Sequence, residues 1–216
     1  MEQEILNDKQ KQVLFAVAHE PQLAGFYLTG GTALAAYYFQ HRISGDLDFF
    51  SFKEPDKIFL HGFTEKLKTL LKAESLRFER LYDRNQFFFK FGQEELKIEF
   101  TKYPFSQLDV PTTRGGFKID SMRDIAANKL MAMLDRFDPK DFVDLFYIFQ
   151  KFKMNDVRKD LEKKFGITVG DIFLGGELVK VRRIEALPKM IKSLTVEELK
   201  EFFIKQAKEL ESKIVE

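Results

Sequence analysis

The chain has 216 residues, of which 44% are hydrophobic, enough for one large domain or two small ones. Lys plus Arg number 35 against 34 Asp plus Glu, so no global charge selects a nucleic acid or a membrane, although a local basic patch stays open. Cysteine is absent, which excludes disulfide staples and thiolate metal sites and fits a reducing compartment.

The opening MEQEILNDKQKQVLF is charged and lacks the apolar centre of a signal peptide. No apolar run approaches the ~20 residues needed to span a bilayer. A soluble, cytoplasmic protein with no membrane partner is expected. Residues Asn7 to His19 predict a helix with Val13, Leu14, Val17 and Ala18 as its apolar stripe. Gly25 to Leu28 is a short apolar run that stops at Gly30-Gly31, which suggests a buried strand entering a tight turn. A helix follows in TALAAYYFQ, with Thr32 placed to cap it. DLDFFSF reads as a second strand and PDKIFLHGFTEKLKTLLKAE as a helix, weakened around Gly62. RFERLY, QFFFKF and LKIEFTKY read as three strands with turn-prone DRN and GQEE between them, hence an antiparallel meander.

After Pro111 the character changes. Ser121 to Leu134 is helical, opened by the Ser121-x-x-Asp124 capping pattern. RFDPKD interrupts it, because Pro139 disfavours helix at Asp138, and a second helix runs from Pro139 to about Phe152. The remainder, from Asn155 to Glu216, reads as charged amphipathic helices around a Gly-rich link, GDIFLGGE. The fold class is therefore α+β, with an N-terminal domain over residues 1–115 and a helical domain over 116–216.

Two aspartates one residue apart, Asp46 and Asp48, lie in the second strand and point to the same face. At ~4 Å and an effective dielectric constant near 20, two carboxylates repel by about 4 kcal/mol. Either one acid keeps its proton or a cation sits between them, and hard divalent cations prefer oxygen ligands. The plainer alternative is a loop whose aspartates face water. Glu99, with Ile98 and Phe100 on the opposite face, joins the cluster if its strand lies beside that of Asp46. Otherwise Lys97, Glu99 and Thr101 form a solvated strand face.

A strand, two glycines and a helix N-terminus make an anion site, since glycine permits close backbone approach and the free N–H groups favour phosphate. An ordinary tight turn would look the same, and the spacing is neither a P-loop nor a Rossmann fingerprint. The order of parts carries more than any one of them. An anion cradle precedes the basic pair His41-Arg42, the Asp-x-Asp strand and a later acid, an order that suits in-line displacement assisted by two metals.

GGTAL…HRISGDLDFF resembles the signature of nucleotidyltransferases with the DNA polymerase β-like fold, and more narrowly that of the AbiEii/AbiGii toxin family of bacterial type IV toxin–antitoxin and abortive-infection systems. DIAANKLMAMLDRFDPKDFVDLFYI is similar to that family's Lys-containing helix and its Arg-x-x-x-Lys-Asp-x-x-Asp-Leu segment. The resemblance covers roughly Phe26 to Phe149. It implies a polymerase β-like mixed sheet with flanking helices and a transferase that moves a nucleoside monophosphate from an NTP to an acceptor hydroxyl. It further implies phosphate contacts at Gly30, Gly31 and Thr32, magnesium or manganese at Asp46 and Asp48, nucleotide contact at Lys129, and a supporting role for Asp141 or Asp144. The third metal acid and catalytic carboxylate would be Glu99, where the superfamily often has aspartate, so either one metal site is weakened or Glu99 is not the third ligand. The C-terminal region looks short for the family. Implied partners are an NTP, an acceptor such as tRNA, another RNA or a protein, and a cognate antitoxin.

Read without the family, Lys129 shares a helical row with Ile125 and Met133 and either snorkels to water or reaches a buried anion. Arg136 is expected to pair with Asp141 or Asp144. Arg42 either contacts phosphate or fixes the strand end, while His41 and His61 read as surface or packing residues. The basic residues between Lys180 and Lys189 line an RNA groove or form a solvated helix face. Three functions follow: an active nucleotidyltransferase, a nucleotide-binding module that acts through a partner, or a phosphotransferase. The last ranks lowest for want of a glycine-rich kinase loop.

Overall fold

A computed structural model describes residues 5–212. Helix α1 (Asp8–Ala18) is opened by a capping box between Asn7 and Gln10 and buries Val13, Leu14 and Val17. Strand β1 (Tyr27–Thr29) runs straight into Gly30, whose φ of 71° turns the chain at once into helix α2 (Gly30–Leu34). That helix widens into a π turn over Ala35–Phe39 and ends at Gln40 in the left-handed region. Strand β2 (Leu47–Ser51), helix α3 (Lys57–Leu71) and the meander β3 (Ser75–Leu81), β4 (Arg84–Phe91) and β5 (Glu94–Lys102) follow as the sequence predicts.

A short hairpin, β6 (Thr112–Arg114) and β7 (Phe117–Ile119), was not legible in the sequence. It straddles the expected division at residue 115, and β7 pairs with β1 in parallel. The result is a mixed seven-stranded sheet in the order β3-β4-β5-β2-β1-β7-β6. Helices α4 (Met122–Asp135), α5 (Pro139–Ile148), α6 (Met154–Phe165), α7 (Asp171–Val179) and α8 (Val196–Ser212) complete the described chain. The expected Gly-rich link is instead helix α7: Leu174 and Leu178, one turn apart, are wholly buried, and that burial outweighs the poor helix propensity of Gly175 and Gly176. The predicted helical stretch beyond Ser212 lies outside the described residues.

The chain has 25 phenylalanines and no tryptophan, and the core is built accordingly. Phe49 of β2 stacks on Phe100 of β5 at 5.3 Å, while Phe142 of α5 meets Phe203 of α8 edge-on at 5.2 Å. One apolar cluster runs from α1 and α3 across the sheet into the helical half. The two halves are also joined through backbone. Ile43 N–H donates to the Lys189 carbonyl at 2.8 Å, and Ile191 and Lys192 N–H donate to the His41 carbonyl at 2.9 and 3.1 Å. Among the described residues, no helix is long and apolar enough to cross a membrane.

Candidate active site

The register of the central strands makes the site. Strand alternation puts Leu47 and Phe49 into the core and leaves Asp46 and Asp48 on the other face. Strands β2 and β5 pair in parallel with Asp48 opposite Glu99, the juxtaposition the sequence left conditional. The alternative of a solvated β5 face is overturned, since Glu99 and Thr101 are buried. Between the three acids stands Lys97, two residues before Glu99 and so on the same face. Its Nζ lies 3.3 Å from Asp46 Oδ2, 3.7 Å from Asp48 Oδ1 and 3.6 Å from Glu99 Oε2.

The three carboxylates have different environments. Asp46 is half exposed. Burial pushes Asp48 up to about 6, although the Lys97 charge opposes the shift. Burial also works against ionisation of Glu99, yet the Arg84 hydrogen bonds and charge outweigh it and hold the group at about 2. Arg84 donates Nε to Glu99 Oε1 at 2.7 Å and Nη2 to Oε2 at 2.8 Å. Gln86 Nε2 and the Thr101 hydroxyl add donors at 2.8 and 2.7 Å. The oxygens of Glu99 are thus committed to protein donors. Among the described residues, no three acids or histidines form a metal-ligating group.

The glycine turn is glycine for steric reasons that involve the acids. A Cβ on Gly30 would meet Asp48 Oδ2 at 2.7 Å, and one on Gly31 would meet Arg42 Nη2 at 2.5 Å and Ser44 Oγ at 3.2 Å. Thr32 does not cap the helix. Thr29 holds the cap position without a side-chain bond, whereas the Thr32 hydroxyl is buried beneath the turn. It donates to the Asp46 carbonyl and stands 2.8 Å from Ser44 Oγ. A carbonyl can only accept, so Ser44 is the donor to Thr32. Thr32 therefore fixes the start of the acidic strand.

Behind the turn lies a second, fully buried ionic centre. Asp144 Oδ1 accepts from His41 Nε2 and Arg42 Nε, both at 2.7 Å. Asp144 Oδ2 accepts from Arg42 Nη2 at 2.7 Å and lies 2.6 Å from Lys129 Nζ. Burial opposes this charge, but Lys129 and Arg42 hold the carboxyl far below the usual carboxylate range. The same Lys129 Nζ donates to Asp141 Oδ1 at 2.9 Å, and Arg136 Nε donates to Asp141 Oδ2 at 3.0 Å as expected. Lys129 is buried rather than snorkelling. Arg42 clamps Asp144 bidentately, which fixes the chain before the acidic strand, and it also lines the same cavity as Asp46 and Asp48. His41 is not a surface or simple packing residue. It is wholly buried, burial lowers its pKa, and the neutral ring must carry its proton on Nε2 to face Asp144, leaving Nδ1 without a partner. His61 packs on Phe78 and Phe87.

Gly30, Gly31, Asp46, Asp48, Lys97 and Lys129 line one cavity of about 700 Å³, whereas Thr32 and Asp144 stand behind its wall and do not line it. Phe50 and Tyr103, with ring centres 4.4 Å apart, form an apolar side of the same cavity. Lys97, Arg84 and Ser44 were missed in the sequence. Only Lys97 had a usable signal, its i−2 spacing to Glu99. The basic run after Lys180 forms a short 3₁₀ turn over Lys180–Arg183 rather than a helix face, and Arg183 lies over the Phe137 ring at 4.3 Å.

A glycine turn that leads from a strand into a helix beside an Asp-x-Asp strand of a mixed sheet defines a nucleotidyltransferase fold. Solved structures agree. A Helicobacter pylori protein provisionally named a nucleotidyltransferase superposes with a TM-score of 0.65 at 17% identity, covering 96% of this chain and 97% of that one. MenT4, a nucleotidyltransferase toxin of Mycobacterium tuberculosis H37Rv, gives 0.51 at 13% identity over 95% and 86%. An uncharacterized Aquifex aeolicus (strain VF5) protein, aq_aa25, is 30% identical over 164 residues, 74% of this chain and 76% of that protein. The chain belongs to the AbiEii nucleotidyl transferase toxin family of type IV toxin–antitoxin systems, whose family model matches residues 12–213.

Proposed function

We propose that the protein transfers a nucleoside monophosphate from an NTP to an acceptor hydroxyl on RNA, tRNA included, or on protein, and that a cognate antitoxin restrains it. The observation that carries this reading is the single cavity shared by Gly30, Gly31, Asp46, Asp48 and Lys129. The acceptor oxygen forms a bond to the α-phosphorus, the bond to the bridging β-oxygen breaks, pyrophosphate departs, and the hydroxyl proton goes to solvent.

The backbone N–H groups of the Gly30-Gly31 turn face phosphate oxygens. Lys129 has three N–H donors, of which Asp141 and Asp144 occupy two, leaving one for the nucleotide. Asp144 is a positioning residue that aims Lys129 and Arg42. Asp46 and Asp48 supply the hard oxygen donors that suit magnesium or manganese, and the missing Cβ of Gly30 leaves Asp48 Oδ2 room against the turn. When bound there, a divalent ion would neutralise triphosphate charge and polarise the reacting phosphorus. Glu99, encircled by donors, serves to hold β4 against β5 rather than to bind metal.

Incubation with α-³²P-labelled NTPs, magnesium and total RNA or cell protein tests the proposal. The label should enter an acceptor, and Asp48→Asn should cut transfer by about a hundred-fold or more. Release of γ-phosphate alone would point to phosphotransfer. The committed state of Glu99 favours one competing reading, a nucleotide-binding module without turnover. NTP-dependent thermal stabilisation with no labelled product would select it.

A further inference from the structure

We propose that Lys97 is a resident counter-cation, which occupies the place among the acids that a second divalent ion would otherwise take. The inference rests on the nucleotidyl-transfer reading and deepens it, by limiting the chain to one divalent ion per bound nucleotide. The Lys97 ammonium is within 4 Å of all three carboxylates, at 3.3 Å from Asp46, 3.7 Å from Asp48 and 3.6 Å from Glu99. Its side chain is only 20% exposed, and the parallel register of β2 and β5 sets where its base stands.

Two features make this more than a surface ion pair. Glu99 has turned its oxygens to Arg84, Gln86 and Thr101, so the third acid that could support a second ion is spent on protein donors. Asp48 Oδ2 sits in the space that a Cβ on Gly30 would fill, so its carboxylate stands between the glycine turn and Lys97. A second ion among the three acids would have to displace an ammonium that compensates their charges. Asp46 and Asp48 line the cavity beside the glycine turn and remain for one ion carried in with the triphosphate.

Counting bound Mn²⁺ by electron paramagnetic resonance, with a saturating α,β-methylene NTP, tests this without turnover. The wild type should hold one Mn²⁺ per bound nucleotide and Lys97→Gln two, while Lys97→Arg, which keeps the charge, should stay at one. Two ions or none in the wild type, or one in both the wild type and Lys97→Gln, would overturn the proposal. If Lys97→Gln does not fold, Lys97→Met takes its place, two ions supporting the proposal and one overturning it. Failure here is distinct from failure of the transfer reading: the ion count can change in a protein that labels no acceptor, and a labelling enzyme can show no change in count.

Discussion

At the scale of single residues, Gly30 and Gly31 are held by contacts from the acids and Arg42 rather than by flexibility. Gly30→Ala places a methyl against Asp48 Oδ2 in a left-handed backbone position. The conformational strain alone costs about 1–2 kcal/mol. The expected outcome is a drop in melting temperature of roughly 2–8 °C, together with weaker NTP binding. Asp144→Asn removes the charge that His41, Arg42 and Lys129 surround, so unfolding free energy should fall by about 3–5 kcal/mol in a denaturant titration. Asp120 offers a test by pH. It is wholly buried, accepts from the Thr29 hydroxyl at 2.8 Å, and burial raises it to about 7, with the Lys164 charge opposing. A raised carboxyl favours folding below its unfolded value and loses that contribution as pH rises through 7. Asp120→Asn, neutral throughout, should therefore gain stability relative to the wild type between pH 5 and pH 8, by roughly 1–3 kcal/mol.

At the scale of elements, capping chemistry and alternation were readable, and pairing was not. Ser121 opens α4 as the pattern indicates: its hydroxyl accepts from Asp124 N–H at 2.9 Å and lies 2.7 Å from Asp124 Oδ2. Ser121→Ala should cost about 1 kcal/mol in unfolding measurements. Asp46 and Asp48 could be placed on one face from the two-residue period alone. Whether Glu99 stood beside them depended on a parallel pairing of strands separated in sequence by α3 and two further strands, and no local pattern specifies that. The environment of Lys97 was hidden for the same reason. Helix α7 was misread because its glycines dominate the local signal, whereas Leu174 and Leu178 are decided by the neighbours they bury against. The β6–β7 hairpin escaped because its strands are three residues each and bury little.

At the scale of the whole molecule, the apolar cluster and the ionic centre both ignore the change of character near Pro111. Lys129 and Asp144 come from the helical half, and Gly31 and Arg42 from the half that bears the sheet. The backbone exchange between residues 41–43 and 189–192 adds a further consequence. The peptide that carries Arg42 is laced to a segment almost at the far end of the chain. Ile191→Pro would delete one stitch, the N–H that reaches the His41 carbonyl, at a cost of about 1 kcal/mol or more. Equilibrium binding of a fluorescent NTP should then weaken several-fold, although no group that meets the triphosphate has changed. Anything that grips or nicks the molecule near Met190 is in this way tugging from behind on the proposed seat of the nucleotide.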